Sequence, residues 1–276
     1  MSKLKITDLW IYPIKSIAGI QLTESKVEKR GLQFDRRWVL ADENGVFVHQ
    51  RDYPEMALLQ PEINGDVMTI KHKTKAIESI SFNMNEPTST PVAVTVWDDE
   101  CSAKPVSEKA DVWFSQIIGK KVRLLFMHED SVRQADQRFA IEATDKVSFA
   151  DGYPVLMISE ESLVLLNSKA EEHIPMNRFR SNIIISGGDA HEEDTLRQIT
   201  IGPIKMHGVK PCARCIMTTI DVDTAQKGKE PLKSLATYRK LGHKILFGEN
   251  FIPGNEGTIS VGDTLKVIES KTGTFE

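Results

Sequence analysis

The residues best equipped for chemistry lie in Val209-Lys210-Pro211-Cys212-Ala213-Arg214-Cys215-Ile216-Met217-Thr218-Thr219-Ile220-Asp221, which holds two of the chain's three cysteines. Thiolate is the nucleophilic and metal-binding form of cysteine, and nearby positive charge such as that of Lys210 and Arg214 favours it. A Cys-x-x-Cys opening a helix in a βαβ unit would suit thiol–disulfide exchange. Here the β-branched run from Ile216 to Ile220 predicts a strand instead. Alternation along it places Cys215, Met217, Thr219 and Asp221 on one face, so that Cys215 is aimed from a strand start. Structural zinc wants four ligands, and Cys212, Cys215 and His207 fall short of that number, with Cys101 remote in sequence. Two packed cysteines without chemical consequence are the other option.

Other segments carry cations or acids that suit a ligand. In Met176-Asn177-Arg178-Phe179-Arg180-Ser181-Asn182, Arg178 and Arg180 stand at i and i+2 ahead of an apolar strand, so both are expected on one side. Two guanidinium forks so placed can grip phosphate or a polar heterocycle, and the plain alternative is a solvated surface pair. Arg36 and Arg37 pose the same choice, with Asp35 available as an ion-pair partner. Lys15 and Ser16 sit in a turn after Pro13. Asp151, ahead of a strand in Asp151-Gly152-Tyr153-Pro154, can serve a proton or a water near a metal, or act as a local backbone acceptor. Glu171-Glu172 and Glu192-Glu193-Asp194 are read as solvated faces or helix caps.

The elements that must position these groups are mostly strands. Residues 5–12, 67–71, 80–84, 92–97, 122–126, 155–158, 182–185 and 199–206 read as strands. Asn44-Gly45 between apolar runs predicts a hairpin, and Gly257 to Ile268 predicts a closing hairpin hinged on Gly262-Asp263. Ser107 caps a helix that Gly119 ends, Ser159 caps one from Glu160 to about Ala170, and Pro231 opens a third bearing Leu232 and Leu235. The polar, aperiodic stretch 131–145 is where the organisation changes.

Composition bounds the rest. A chain of 276 residues, 40% hydrophobic and 27% charged, is ordinary for a soluble protein and long enough for two domains. A net charge of −4 gives no long-range pull toward nucleic acid or acidic membrane, so any anion site must be a local pocket. Three cysteines make no disulfide framework, the N-terminus has no apolar targeting core, and no run of about 18 apolar residues occurs. A cytoplasmic location is expected.

Taken in order, Tyr12-Pro13-Ile14-Lys15-Ser16, Phe34-Asp35-Arg36, Arg178-Phe179-Arg180-Ser181-Asn182, Cys212-Ala213-Arg214-Cys215 with its trailing Thr218-Thr219, and Gly257-Thr258-Ile259-Ser260-Val261-Gly262-Asp263 resemble the MOSC family with its N-terminal β-barrel partner domain. The set is similar to the bacterial relatives of the mitochondrial amidoxime-reducing component and to the C-terminal domain of molybdenum cofactor sulfurase. The resemblance implies a mainly β fold with a few helices, of the PK β-barrel-like type. It divides the chain into two barrel-like domains, an N-terminal one over 1–125 and a MOSC domain over 126–276, with molybdenum cofactor held between them. By the resemblance Cys215 is the protein thiolate on molybdenum and Asp151 an acid beside it. Lys15, Ser16, Arg36, Arg178 and Arg180 match positions that grip the pterin and its phosphate, and Asn177 and Ala213 are counted with them. Gly152 and Tyr153 stand where relatives often carry small hydroxyl residues, and Ser181 replaces a usual proline. The implied function is reduction of a small N-hydroxylated substrate, with electrons from a separate ferredoxin or flavoprotein reductase because the chain has no further cysteine cluster. The alternative is a carrier of molybdenum cofactor or sulfur without redox turnover.

Overall fold

In the computed structural model, residues 3–85 and 90–275 are described. The protein is mainly β, with three α-helices among the described residues. The largest sheet has the strand order 265–270, 196–201, 204–213, 244–253, 155–159, 183–186, 5–11, 20–22. Strands 155–159 and 183–186 are parallel and linked through the helix Glu160–Asn167, whereas the neighbours outside this pair run antiparallel. A second sheet joins 38–41, 123–126, 99–105 and 92–96. Two three-stranded sheets complete the frame, one of 257–260, 24–28 and 31–32, the other of 59–64, 67–72 and 80–83.

Strands from the two ends of the chain are interleaved. Lys5–Ile11 pairs with Ile183–Ser186, and Glu24–Glu28 pairs with Gly257–Ser260. Inward residues of these strands and of their neighbours 155–159 and 244–253, among them Ile6, Leu9, Met157, Ile183, Ile185 and Phe251, form one apolar core. A second core gathers Trp38, Leu40, Met68, Trp113, Phe114 and Leu124 under the helix Glu108–Ile118. That helix follows its end signals: the Ser107 hydroxyl accepts the Ala110 N–H at 3.4 Å, and Gly119 closes it at φ 72°.

Tertiary context overrides several local expectations. Residues 216–219 form a 3-10 turn, not a strand. Pairing of the strand Ile204–Ala213 with its neighbour ends at Arg214, whose N–H donates to the Ile245 carbonyl at 2.7 Å, so residues 216–219 have no ladder to join. Their hydroxyls close the turn instead: Thr218 Oγ1 donates to the Cys215 carbonyl at 2.9 Å and Thr219 Oγ1 to that of Ile216 at 2.8 Å. Arg178 and Arg180 likewise do not share a strand face, because Met176–Phe179 is a 3-10 turn and Arg180 caps it at φ 55°. The two halves of 257–268 separate at Gly262-Asp263 and pair with different strands, 24–28 and 196–201. The Asn44-Gly45 turn forms, but its second arm makes isolated bridges to Ala41 and Thr95. Residues 199–206 are divided by a turn at Gly202 into two strands of one hairpin.

Glu193 and Asp194 are buried, contrary to the solvated face expected of that acidic run. The Ser159 hydroxyl donates to Glu193 at 2.7 Å, and Ser162 donates to both of its carboxylate oxygens. Asp194 pairs with the buried Arg239, while the fully buried Glu249 takes Lys271 at 2.5 Å. Burial drives Glu193 up to about 7, against its serine donors. Burial likewise drives Glu249 up to about 8, against Lys271.

Both folded values exceed the glutamate value of about 4.3 in unfolded chains. Stability from these groups is therefore complete below about pH 4 and is lost as pH rises through about 7 to 8. Thermal melts should show the midpoint falling between pH 5 and 8, and Glu193→Gln should flatten that fall; an unchanged slope would remove Glu193 as its source.

Candidate active site

Cys215 lies just past the end of the strand Ile204–Ala213, in extended geometry ahead of the 3-10 turn, and it is exposed. It opens on a cleft lined also by Lys15, Ser16, Arg36, Asp151, Arg180 and Arg214. The cleft encloses about 780 Å³ of empty space, its open mouth included.

Lys15 and Asp151 form the polar centre of one wall. Lys15 Nζ donates to Asp151 Oδ1 at 2.6 Å and to the Phe149 carbonyl at 2.7 Å. Trp97 Nε1 donates to the same Oδ1 at 3.1 Å, and Oδ2 has no partner among the described residues. The Asp151 side chain is 68% exposed, while that of Lys15 is 8% exposed. Desolvation alone would raise the Asp151 carboxyl, but the ammonium of Lys15 outweighs it and holds the acid well below the usual carboxylate range. Burial lowers the Lys15 ammonium, with Asp151 opposing. The loop carrying Asp151 is fixed from beneath by Arg133, which donates to the carbonyls of Ser148, Ala150 and Asp151 and pairs with Asp99.

The floor is built on Tyr12 and Asp35. Asp35 accepts the Tyr12 N–H at 2.8 Å and holds Arg36 Nη1 at 2.7 Å. Arg36 in turn donates to the Arg180 carbonyl at 3.0 Å and to Asn182 Oδ1 at 3.3 Å. The Arg36 and Arg180 guanidiniums lie 4.4 and 4.2 Å from the Tyr12 ring centre. Burial, and then Arg36 nearby, lowers Arg180 to about 10, and burial pushes Tyr12 up to about 12. Ser16 and Arg36 both have left-handed backbone, with φ of 73° and 49°, so these cleft residues lie on tight corners and not on strands.

Arg180 and Met217 also line a second hollow, shared with Asn177, Arg178, Tyr12 and Lys73, so the two cavities abut. Arg178 is occupied there: it pairs with Asp221 at 3.0 Å and reaches the Thr218 carbonyl, clamping the turn after Cys215. Asn177 Oδ1 is buried without a partner among the described residues. Ala213 is exposed and lines neither cavity. Of the two cations beside the cysteines, Arg214 Nη1 stands 2.9 Å from Cys212 Sγ, whereas Lys210 turns to Asp136 at 3.6 Å.

Phe47, His49, Arg51 and Trp97 line the same cleft, and the sequence did not single them out. Phe47 and Trp97 meet edge to face at 4.8 Å, and Arg51 lies 4.4 Å from the Trp97 ring centre. The available signal was Trp97 itself, a tryptophan immediately before Asp98-Asp99, where an apolar run meets a turn. Arg133, which holds the loop carrying Asp151, gave no signal because it looks locally like a surface residue.

Comparison with known proteins agrees with this architecture. The chain matches the MOSC N-terminal beta barrel domain over residues 3–121 and the MOSC domain over residues 144–266. Mitochondrial amidoxime-reducing component 1 of Homo sapiens is 31% identical, over 95% of this chain and 82% of its own. Mitochondrial amidoxime reducing component 2 of Bos taurus is 30% identical, over 94% and 81%. Molybdenum cofactor sulfurase of Bos taurus is 29% identical over 88% of this chain, which corresponds to 29% of that protein. Among solved structures, the YUAD protein of Bacillus subtilis superposes with a TM-score of 0.44 at 12% identity, covering 96% of this chain and 97% of that one. With both domains matched in order and a relative above 30% identity along most of its length, the chain belongs to the MOSC family.

Proposed function

We propose that this chain binds the pterin form of molybdenum cofactor through Cys215 and reduces N-hydroxylated compounds with electrons from a separate ferredoxin or flavoprotein. The observation that carries it is the placing of one exposed thiol and one ion-paired acid on a single cation-walled cleft. The names of the amidoxime-reducing relatives supply the substrate class.

The residues present suit such a cofactor. Thiolate is a fitting soft ligand for a heavy metal. Among the described residues no three His, Cys, Asp or Glu side chains group to hold a metal, so further ligands would come from the cofactor itself. Buried polar atoms without protein partners cluster around the two cavities: Asn177 Oδ1, Arg178 Nε, Arg214 Nε and Tyr12 Oη. They are the complement expected of a pterin and phosphate rich in donors and acceptors. Lys15, Ser16, Arg36 and Arg180 stand on the same walls, and Arg178 and Asn177 line the adjoining hollow.

When bound, the molybdenum centre supplies a two-electron couple next to Cys215. The net reaction breaks the substrate's N–O bond, consumes two electrons from the donor and two protons, and releases the oxygen as water. Asp151, ionised through its contact with Lys15, orients the N-hydroxyl group through its free Oδ2. The Lys15 ammonium holds a proton 2.6 Å from Asp151 and can pass it through that carboxylate to the departing oxygen. Trp97 touches both members of the pair, its Nε1–H donating to Asp151 at 3.1 Å and its ring lying 5.9 Å from the Lys15 ammonium.

Cys215→Ala should leave freshly purified protein without molybdenum and without reduction of benzamidoxime by a competent donor; retained metal and turnover would refute the ligand assignment. Stable metal in the wild type with no turnover would favour the carrier role. Asp151→Asn should keep the metal but lower turnover by about 100-fold, the low end of general acid–base contributions. In the wild type the alkaline limb of the pH–rate curve should fall below lysine's ordinary value of about 10.4, because burial lowers Lys15.

A further inference from the structure

Most cations of the cleft are already engaged. Lys15 is held by Asp151, Arg36 by Asp35, Arg180 by the Ile17 carbonyl and Arg214 by the Phe179 carbonyl. Arg51 differs. It lines the same cleft, is half-buried, and has neither a hydrogen bond nor a carboxylate partner among the described residues. Its sequence neighbour Asp52 stands 3.5 Å from His49 instead. What holds Arg51 is the indole of Trp97, 4.4 Å from its guanidinium carbon. A guanidinium resting on an aromatic ring keeps its N–H fork available for a planar, bidentate acceptor.

Position gives this fork a meaning. Trp97 contacts Arg51 through its ring and Asp151 through Nε1, so one indole separates the free guanidinium from the acid at the reacting end. The Arg51 wall, with Phe47, His49 and Trp97, comes from the N-terminal half of the chain, whereas Arg180 and Arg214 of the same cleft come from the C-terminal half. Arg180 and Arg214 have no acid paired to them among the described residues, so their charge can serve the cofactor phosphate. A substrate whose N–O group lies at Asp151 would extend along the indole toward Arg51.

We infer that Arg51 is a specificity-determining residue that receives a carboxylate at the distal end of the substrate, so that the preferred substrates are N-hydroxylated compounds bearing a carboxylate. The assignment rests on the reductase function proposed above. Trp97 acts as the rail between the two ends, packing against the flat middle of the substrate while its N–H keeps Asp151 oriented.

The test uses the cofactor-loaded protein and two substrate and product pairs: 4-carboxybenzamidoxime with 4-amidinobenzoate, and benzamidoxime with benzamidine. The wild type should favour the carboxylated oxime in kcat/KM, mainly through KM, and calorimetry should show 4-amidinobenzoate binding more tightly than benzamidine. Arg51→Gln should reduce both preferences by about 10- to 100-fold, the usual worth of a hydrogen-bonded charge, and Arg51→Lys should restore part of them. Equal affinity of the wild type for the two products would overturn the Arg51 assignment even if both oximes are reduced. Loss of bound pterin from Arg51→Gln would overturn it too, by making Arg51 a cofactor ligand. Failure to reduce either oxime, with the Arg51-dependent product preference intact, would overturn the reductase function alone.

Discussion

Asp35 is the constraint on which the cleft depends. It is fully buried, and a carboxylate there is tolerable only because Arg36 and the Tyr12 N–H surround it. Burial pulls its protonation upward while Arg36 and the Tyr12 amide oppose. Through Arg36 the same charge reaches the Arg180 carbonyl and Asn182, so one ion pair ties together the turn after Tyr12, the corner at Phe34 and the corner at Arg180. Removing one partner from a buried pair typically costs about 3–5 kcal/mol, because the other charge is left uncompensated. Rigidity at the floor thus has an electrostatic origin, not an apolar one.

A consequence is a division of labour among the cations. Arg36, Arg133 and Arg178 are structural clamps: each fixes a loop by donating to backbone carbonyls, and each has an acid to balance it. Arg180 leans on a carbonyl, and Arg214 on a carbonyl and the Cys212 sulfur, so among the described residues neither has a carboxylate to cancel its charge at the cavity wall. Such a wall favours an anionic occupant without requiring a positive protein overall, in keeping with the net charge of −4.

Much of this was legible in the sequence because it depends on local rules. Ser107 and Gly119 bracket a helix in the pattern that capping chemistry requires, and the short apolar runs did become strands of a mainly β protein. Lys15, Ser16, Arg36, Asp151, Arg180 and Cys215, grouped from the sequence only by the resemblance and not by local rules, line one cleft. The misjudged places are those where a distant partner decides. The run after Cys215 has strand composition but no neighbouring strand, so its threonines turn back on their own carbonyls. Glu193 looks like surface charge until Ser159 and Ser162 are folded against it. The Phe47 to Trp97 wall could not be read, since its members are brought together by sheet pairing and carry no mutual spacing.

The pairing of Lys5 with Ser186 has a bearing on how the molecule comes to be made. Strand 5–11 can pair with 20–22 as soon as both are made, but its other edge finds no ladder until the segment around 183–186 has emerged. Such long-range contacts slow folding and leave hydrogen-bonding edges open in the meantime. Strand 5–11 is therefore locked on both edges only after residue 186 has been made, and the cavity floor beside Tyr12 is completed no sooner.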